Sequence, residues 1–259
     1  MSFKNQSCAE QIVTTVNNGD NVPVEDLESI RPITGRSLRY RGYVVQMMEE
    51  TFMLNEGEEL RRDVASLPGA VAVAAVNEKN EILLLRQYRH PTRLLMWEIP
   101  AGLLDNDGLS AEEIAAGADE APFAVAVREL AEEADLRADT WHSLVDYFSS
   151  SGQCDEASRI YLARNLSEVP AHERHERTAE EAEAIFAWVP LEQAVALVLG
   201  GKIHNGMTAQ AIMASYVASL NSFEGLRPAE DSWDFHPYRS GRRTRFSEGE
   251  YPTLEPKES

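Results

Sequence analysis

Between Ala70 and Leu85 the chain is apolar almost without interruption: Ala70 to Val76, then Asn77-Glu78-Lys79-Asn80, then Ile82-Leu83-Leu84-Leu85. A strand with one face in water alternates apolar with polar residues, and a strand that does not alternate must be covered on both faces. The polar quartet between the two runs is turn chemistry. The pattern therefore predicts a buried hairpin in the middle of a mixed sheet. Leu94 to Ile99, Trp141 to Tyr147, Ser158 to Ala163 and Ile185 to Val189 read as further strands, with Ser149 to Glu156 as a loop. Pro190 to Leu199 and Met207 to Leu220 have helical periodicity, and Gly200-Gly201 stops the first of them. The predicted class is α/β, with helices flanking a mixed sheet.

The strand ending at Ile99 delivers Pro100-Ala101-Gly102, and after an insertion come Glu120 and then Arg128-Glu129-Leu130-Ala131-Glu132-Glu133. If Ala124 to Ala134 is helical, Glu129, Glu132 and Glu133 share one face, because i, i+3 and i+4 are neighbours. Val127, Leu130, Ala131 and Ala134 are predicted on the opposite, sheet-facing side. Carboxylates are thus gathered within about one turn, roughly 5.4 Å. Like charges at that spacing cost an isolated helix roughly 0.2–0.5 kcal/mol per pair, and within the stretch only Arg128 offsets them. A hard divalent cation would offset them fully; the competing reading is a solvated acidic helix.

The net charge is −19 over 259 residues, which argues against a nucleic-acid or anionic-membrane surface. A site for an anionic substrate must then be locally basic or use metal. No run approaches the apolar length of a membrane span, and the opening Met1 to Glu10 lacks an apolar signal region, so a cytoplasmic protein is expected. Cys8 and Cys154 are too few for a disulfide framework and lack metal spacing, which leaves two reduced thiols.

Four segments are expected. Residues 1–32 are polar, with Asn17-Asn18-Gly19-Asp20-Asn21 reading as turn or disorder, and structure starts near Ile33. Residues 33–67 form two or three antiparallel strands around Asn55-Glu56-Gly57, a small sheet with too little surface to be stable alone. Residues 68–220 form the main domain. Residues 221–259 form a C-terminal tail with scattered aromatics (Phe223, Trp233, Phe235, Tyr238, Phe246, Tyr251) and the one basic cluster, Arg239, Arg242, Arg243 and Arg245. This cluster is either a lid that contacts phosphate or a set of arginines paired with the acidic surface, and the second is the commoner outcome.

The order Gly, Glu-x7-Arg-Glu-Leu-x-Glu-Glu resembles the signature of the Nudix hydrolases, which cut nucleoside diphosphates linked to another moiety. Two departures stand out. The interval from Gly102 to Glu120 holds seventeen residues, Leu103 to Asp119, a loop insertion in which Glu112 or Glu113 competes with Glu120 for the first acidic position. Asp135 replaces the second glycine, a mild change because Asp enters the left-handed region at modest cost. The resemblance implies an α/β/α Nudix sandwich with a mixed sheet, preceded by a small N-terminal antiparallel sheet.

From about Tyr40 to Ser219 the chain is similar to the ADP-ribose pyrophosphatase branch. The matching features include Tyr40-Arg41-Gly42-Tyr43, Leu60-Arg61-Arg62-Asp63-Val64, Gln87-Tyr88-Arg89, Trp97-Glu98-Ile99-Pro100-Ala101-Gly102, Glu181-x-Glu183 before Trp188-Val189-Pro190-Leu191, and Gly201-Lys202-Ile203. The branch implies a homodimer through the N-terminal strands, with Tyr43 stacking on adenine and Arg62, Arg89 and Glu98 at the nucleotide substrate. Tyr43 as strand filler and Arg62 as a cross-strand partner of an acid stay open. The resemblance further implies Glu129, Glu132, Glu133 and the Ala101 carbonyl as ligands of Mg²⁺ or Mn²⁺, hard ions that suit oxygen donors. Glu156, in Gly152-Gln153-Cys154-Asp155-Glu156, is the acid that positions or deprotonates water, and Arg128 orients Glu132 or Glu120 by ion pairing. Ser151 stands where this branch usually has a proline, which leaves a nucleotide sugar such as GDP-mannose open as substrate. A non-catalytic ADP-ribose-binding regulator would need a damaged box or a DNA-binding appendage, and the box glutamates are intact.

Overall fold

The computed structural model describes residues 13–15, 20–104, 120–177 and 183–243. Glu112, Glu113, Glu181, Arg245, Phe246, Tyr251 and Cys8, and Asn17 to Gly19, lie outside the described residues. Strands β1 (Val13–Thr15) and β2 (Asn21–Pro23) pair antiparallel. Ordered pairing therefore begins ahead of Ile33, the expected start of structure, and Asn21, at the end of the stretch that reads as turn or disorder, opens β2.

Strands β3 (Ile33–Arg41), β4 (Gln46–Asn55) and β5 (Glu58–Ser66) form the expected three-stranded antiparallel sheet. The turn at Gly57 has φ 81°, a backbone that suits glycine. β6 (Ala70–Ala75), β9 (Ala101–Leu103), β10 (Leu136–Phe148), β11 (Ala157–Glu168) and β13 (Arg227–Pro228) make a five-stranded sheet in the order β13-β10-β11-β6-β9. It is mixed, because β6 runs parallel to β11 and antiparallel to β9. A third sheet has the order β12-β7-β8, from β12 (Ile185–Pro190), β7 (Glu81–Arg89) and β8 (Leu94–Glu98).

The predicted hairpin of Ala70 to Leu85 is corrected here. The turn exists: Asn77 Oδ1 accepts the Lys79 and Glu81 amides at 2.9 and 3.0 Å. Beyond the single bridge Val76–Ile82, however, the two strands part into different sheets. A strand has two hydrogen-bonding edges, and both edges of β6 are taken by β11 and β9, while those of β7 are taken by β12 and β8.

Period-two alternation sends neighbouring side chains of one strand into opposite cores. Ala72, Ala74, Ile160 and Leu162 pack with Ile82, Leu84 and the helices α2 (Leu191–Leu199) and α3 (Gly206–Ser219). Val71, Val73, Tyr161 and Ala163 pack with Leu83 and with α1 (Pro122–Ala134). This is an α/β/α sandwich with strands buried on both faces, as their unbroken apolar runs demanded. No helix among the described residues is long and apolar enough to cross a membrane.

The C-terminal segment packs onto this body as far as Arg243. β13 extends the main sheet beside β10, and Phe223 and His236 are buried. The fully buried Arg159 anchors the segment: it pairs with Asp146, donates to the carbonyls of Asp231 and Ser232 at 2.7 and 2.9 Å, and lies 4.8 Å from the Trp233 ring. Burial alone would raise the Asp146 pKa, but hydrogen bonds and charge from Arg159 and Arg227 hold it below the usual carboxylate value.

Candidate active site

The site is built where α1 crosses β9. Pro122 opens the helix, where its missing N–H costs nothing, and Asp135 closes it with φ 54° and ψ 33°, its amide donating to Ala131 O at 3.2 Å. Asp135 thus takes the left-handed position expected of it in place of glycine, and Arg177 pairs with its carboxylate. The buried face of α1 is Val125, Ala126 and Leu130, the Val125 and Leu130 side chains each worth about 1.5–3 kcal/mol when fully removed from water. Val127, expected on that face, is 41% exposed. The reason is rotational. The sheet-facing arc runs from Val125 through Glu129 and Glu133 to Leu130, so two of the glutamates fall within that arc instead of opposing it.

That rotation brings the carboxylates against the backbone of β9. Glu133 Oε2 accepts the Ala101 amide at 2.9 Å. Glu129 lies over Gly102 so closely that a Cβ there would stand 2.1 Å from Oε1. Any side chain at 102 would displace the Glu129 carboxylate from this seat, and β9 holds the position through the register Val71–Gly102 and Ala72–Ala101.

Arg128 ties the acids together. Its guanidinium lies 3.4 Å from Glu120, 2.9 Å from Glu129 and 3.1 Å from Glu132. Burial would lower its pKa, yet the Glu120 hydrogen bond and the charges of Glu129, Glu120 and Glu132 raise it above its ordinary value. Arg239 of the C-terminal segment supports the same corner by donating to the Glu120 carbonyl at 2.6 Å.

Arg89 and Glu98, both expected at the substrate, are paired with each other. Arg89 Nε and Nη2 donate to Glu98 Oε2 at 2.9 and 2.7 Å. Glu98 is 3% exposed and also accepts from Gln87 Nε2 at 3.2 Å and Asn205 Nδ2 at 3.0 Å. Its carboxylate fixes the guanidinium of Arg89, whose side chain is 40% exposed. Asn205 also caps α3, its Oδ1 accepting the Thr208 amide at 2.9 Å. Sequence reasoning did not single out Asn205, although Asn before a helical run was the available signal. A cavity of about 730 Å³ reaches from Arg89, Glu98 and Asn205 to Ala101, Gly102 and Tyr147. A larger hollow of about 930 Å³ lies between the start of α1 and the C-terminal segment and is lined by Arg128 but not by β9; of the two, the first is the one that Ala101 and Gly102 of β9 line.

Glu156 is half-buried and immediately precedes β11, which runs beside β6 and β9. Its neighbour Asp155 is the residue tied into the loop, through the Leu67 amide, Tyr238 and Arg243. Tyr43 is fully exposed. Arg62 is exposed on the N-terminal sheet, opposite Glu50 in register, and donates to the Arg61 carbonyl at 2.8 Å. Within one chain neither lines the cavity.

Among the described residues, no three of Asp, Glu, His and Cys converge as a ready-made metal cage; Arg128 and the Ala101 amide hold the carboxylates instead. The donor set itself fits a hard divalent cation: carboxylates of Glu129, Glu132 and Glu133 beside the half-buried backbone of β9 at Ala101, with Gly102 lacking the side chain that would displace Glu129.

Fold and box define a hydrolase of phosphoric anhydrides. The chain belongs to the NUDIX domain family, whose model matches residues 66–211, and it is a Nudix-type pyrophosphatase. It is 34% identical over 198 residues to the "ADP-ribose pyrophosphatase" of Mycobacterium tuberculosis, covering 76% of this chain and 88% of that protein. It is 31% identical over 173 residues to the "ADP-ribose pyrophosphatase" of Bacillus subtilis, covering 67% and 85%. Its fold is similar to that of a crystal structure of an "ADP compounds hydrolase", with TM-score 0.58 at 16% identity, covering 78% of this chain and all of the other.

Proposed function

We propose that this protein hydrolyses the pyrophosphate of ADP-ribose to AMP and ribose 5-phosphate, with Mg²⁺ or Mn²⁺ held by Glu129, Glu132, Glu133 and the Ala101 carbonyl. The observation that supports it most is the seating of Glu129 on Gly102 and of Glu133 on the Ala101 amide, beside a cavity that also contains the oriented guanidinium of Arg89. Two relatives of nearly full length bear the same activity in their names.

The ion, when bound, neutralises the diphosphate and lowers the pKa of water. Arg89, fixed by Glu98, presents a planar fork to phosphate oxygens. Glu156 takes a proton from the attacking water as its oxygen bonds to phosphorus and the bond to the bridging oxygen breaks. Arg128 keeps Glu120 and Glu132 in place. The site is completed in a homodimer, where Tyr43 of one chain stacks on the adenine bound by its partner. Support for this is the full exposure of Tyr43 together with exposed Tyr40 and Ile33 on a sheet of three strands, a surface that an aromatic ligand or a second chain would cover.

The deciding experiment is product analysis after incubation with Mg²⁺ and, separately, ADP-ribose, GDP-mannose, diadenosine polyphosphates and 8-oxo-dGTP. AMP and ribose 5-phosphate from ADP-ribose as the preferred reaction support the proposal. Preferential release of GMP from GDP-mannose overturns it in favour of the nucleotide sugar.

A further inference from the structure

The loop from Ser149 to Glu156 is fastened by residues that the sequence places in a tail. Asp155 is 7% exposed, and both of its carboxylate oxygens are engaged. Oδ1 accepts the Leu67 amide at 3.1 Å. Oδ2 accepts the Tyr238 hydroxyl and lies 3.1 Å from Arg243 Nε. Tyr238 has one hydroxyl proton, given to Asp155, so its oxygen accepts from the Ser66 hydroxyl. Arg243 then reaches the other way: its Nη2 donates at 2.8 Å to Glu50, a buried acid in the central strand of the N-terminal sheet that also pairs with Arg36. The backbone repeats the connection, Ala65 N to Gln153 O at 2.9 Å and Asp155 N to Ala65 O at 3.2 Å.

Five side chains, Glu50, Ser66, Asp155, Tyr238 and Arg243, thus join three regions: the N-terminal sheet, the loop and the C-terminal segment. Solvating the tail does not need such a linkage. A surface arginine paired at random would sit on an exposed acid, whereas Arg243 is shared between two acids whose side chains are 8% and 5% exposed. Burying those charges is tolerable only while the partners hold their geometry. The next residue along the loop is Glu156, whose carbonyl accepts the Ser149 amide at 3.3 Å. With both ends of the Ser149 to Glu156 loop tied, the Glu156 side chain has little backbone freedom left.

We propose that Asp155, clasped by Tyr238 and Arg243, is a positioning residue that aims Glu156 at the attacking water, so that the C-terminal segment is part of the catalytic apparatus. This rests on the reading of Glu156 as the proton acceptor given above. Proton transfer demands a donor–acceptor approach of hydrogen-bond length, and a misplacement of about 1 Å costs on the order of 10²-fold in rate.

The test uses the full-length chain with Mg²⁺ and whichever member of the substrate panel is turned over best. The kcat and KM are measured for Glu156→Gln, Tyr238→Phe, Arg243→Ala, Arg243→Lys and the double variant Tyr238→Phe/Glu156→Gln, with amide hydrogen exchange at Ala65 and Asp155 as a readout independent of turnover. The expected results are a fall in kcat of about tenfold to 10²-fold for Tyr238→Phe and Arg243→Ala, a KM within about twofold of wild type, partial rescue by Arg243→Lys, and faster exchange at both amides. In the Glu156→Gln background, Tyr238→Phe should cost nothing further, because residues acting through one group are not additive. If Glu156→Gln is inactive but Tyr238→Phe and Arg243→Ala keep wild-type kcat, the clasp is wrong and the assignment of Glu156 stands. If the Tyr238 effect adds in full to that of Glu156→Gln, the clasp acts on the fold alone and the proposal is likewise overturned. Wild-type kcat in Glu156→Gln removes the assignment of Glu156 and the clasp's purpose with it.

Discussion

Glu129 occupies the space above Gly102 that any side chain at position 102 would need. Gly102→Ala must therefore push the Glu129 carboxylate aside or bend β9. Turnover is expected to fall by about 10²-fold, the scale of a misplacement of about 1 Å at a reacting centre. Steady-state assays alongside thermal unfolding check this. Activity near wild type would mean that Glu129 has no need of its present seat.

Glu133→Gln keeps a side-chain oxygen to accept the Ala101 amide but removes a charge from the box. The fold is expected to survive, with circular dichroism unchanged, while turnover is largely abolished at saturating Mg²⁺. Near-wild-type activity would remove Glu133 from the metal ligands.

Glu156→Gln should affect kcat more than KM, because water activation is realised in the transition state. A loss of about 10²- to 10⁴-fold is the usual range for general-base removal. A rise in KM alone would assign Glu156 to substrate binding.

The dimer predicts complementation. Co-expressed Tyr43→Ala and Glu133→Gln chains should form mixed dimers with one good site of two, giving about half of wild-type activity if distant sites act independently, while each variant homodimer is nearly inactive. A fully active monomer in sedimentation, or a mixed dimer that recovers nothing, would place the adenine contact within a single chain.

His236 gives an acid-stability prediction. Burial, with the charges of Arg239, Arg242 and Arg159, lowers its pKa to about 4. The unfolded chain then binds the proton more tightly than the folded one, so stability is complete above the ordinary histidine pKa near 6.5 and declines as pH falls from there to about 4. For a shift of that size the decline is up to about 3 kcal/mol. Urea midpoints of wild type and His236→Gln between pH 7 and pH 4 check it: the variant should lose less stability over that window, and identical slopes would contradict the assignment.

What the sequence disclosed followed from whether the relevant interaction is local. The apolar runs at Ala70 and Ile82, the stop at Gly200-Gly201 and the left-handed Asp135 are decided within a few residues, and all are found in the fold. The box glutamates were legible by helical spacing, but the rotation of α1 was not, because Val127 and Val125 are equally apolar and only the position of β9 distinguishes them. Which edges β6 would offer was also hidden, since β9 and β11 arrive from distant parts of the chain. The partners of Asp155 were least accessible: Tyr238 lies 83 residues away in sequence, and Arg243 meets Glu50 across 193. No periodicity connects them.

The alternation along β6 has a bearing on how the molecule unfolds. Val71 and Val73 belong to the α1 core, and Ala72 and Ala74 to the α2 and α3 core, so a single backbone is common to both. Neither half can melt and leave the other intact, because loosening either one strips half of the same strand. The amides of β6 should therefore exchange only through global opening, and the two halves should share one cooperative transition.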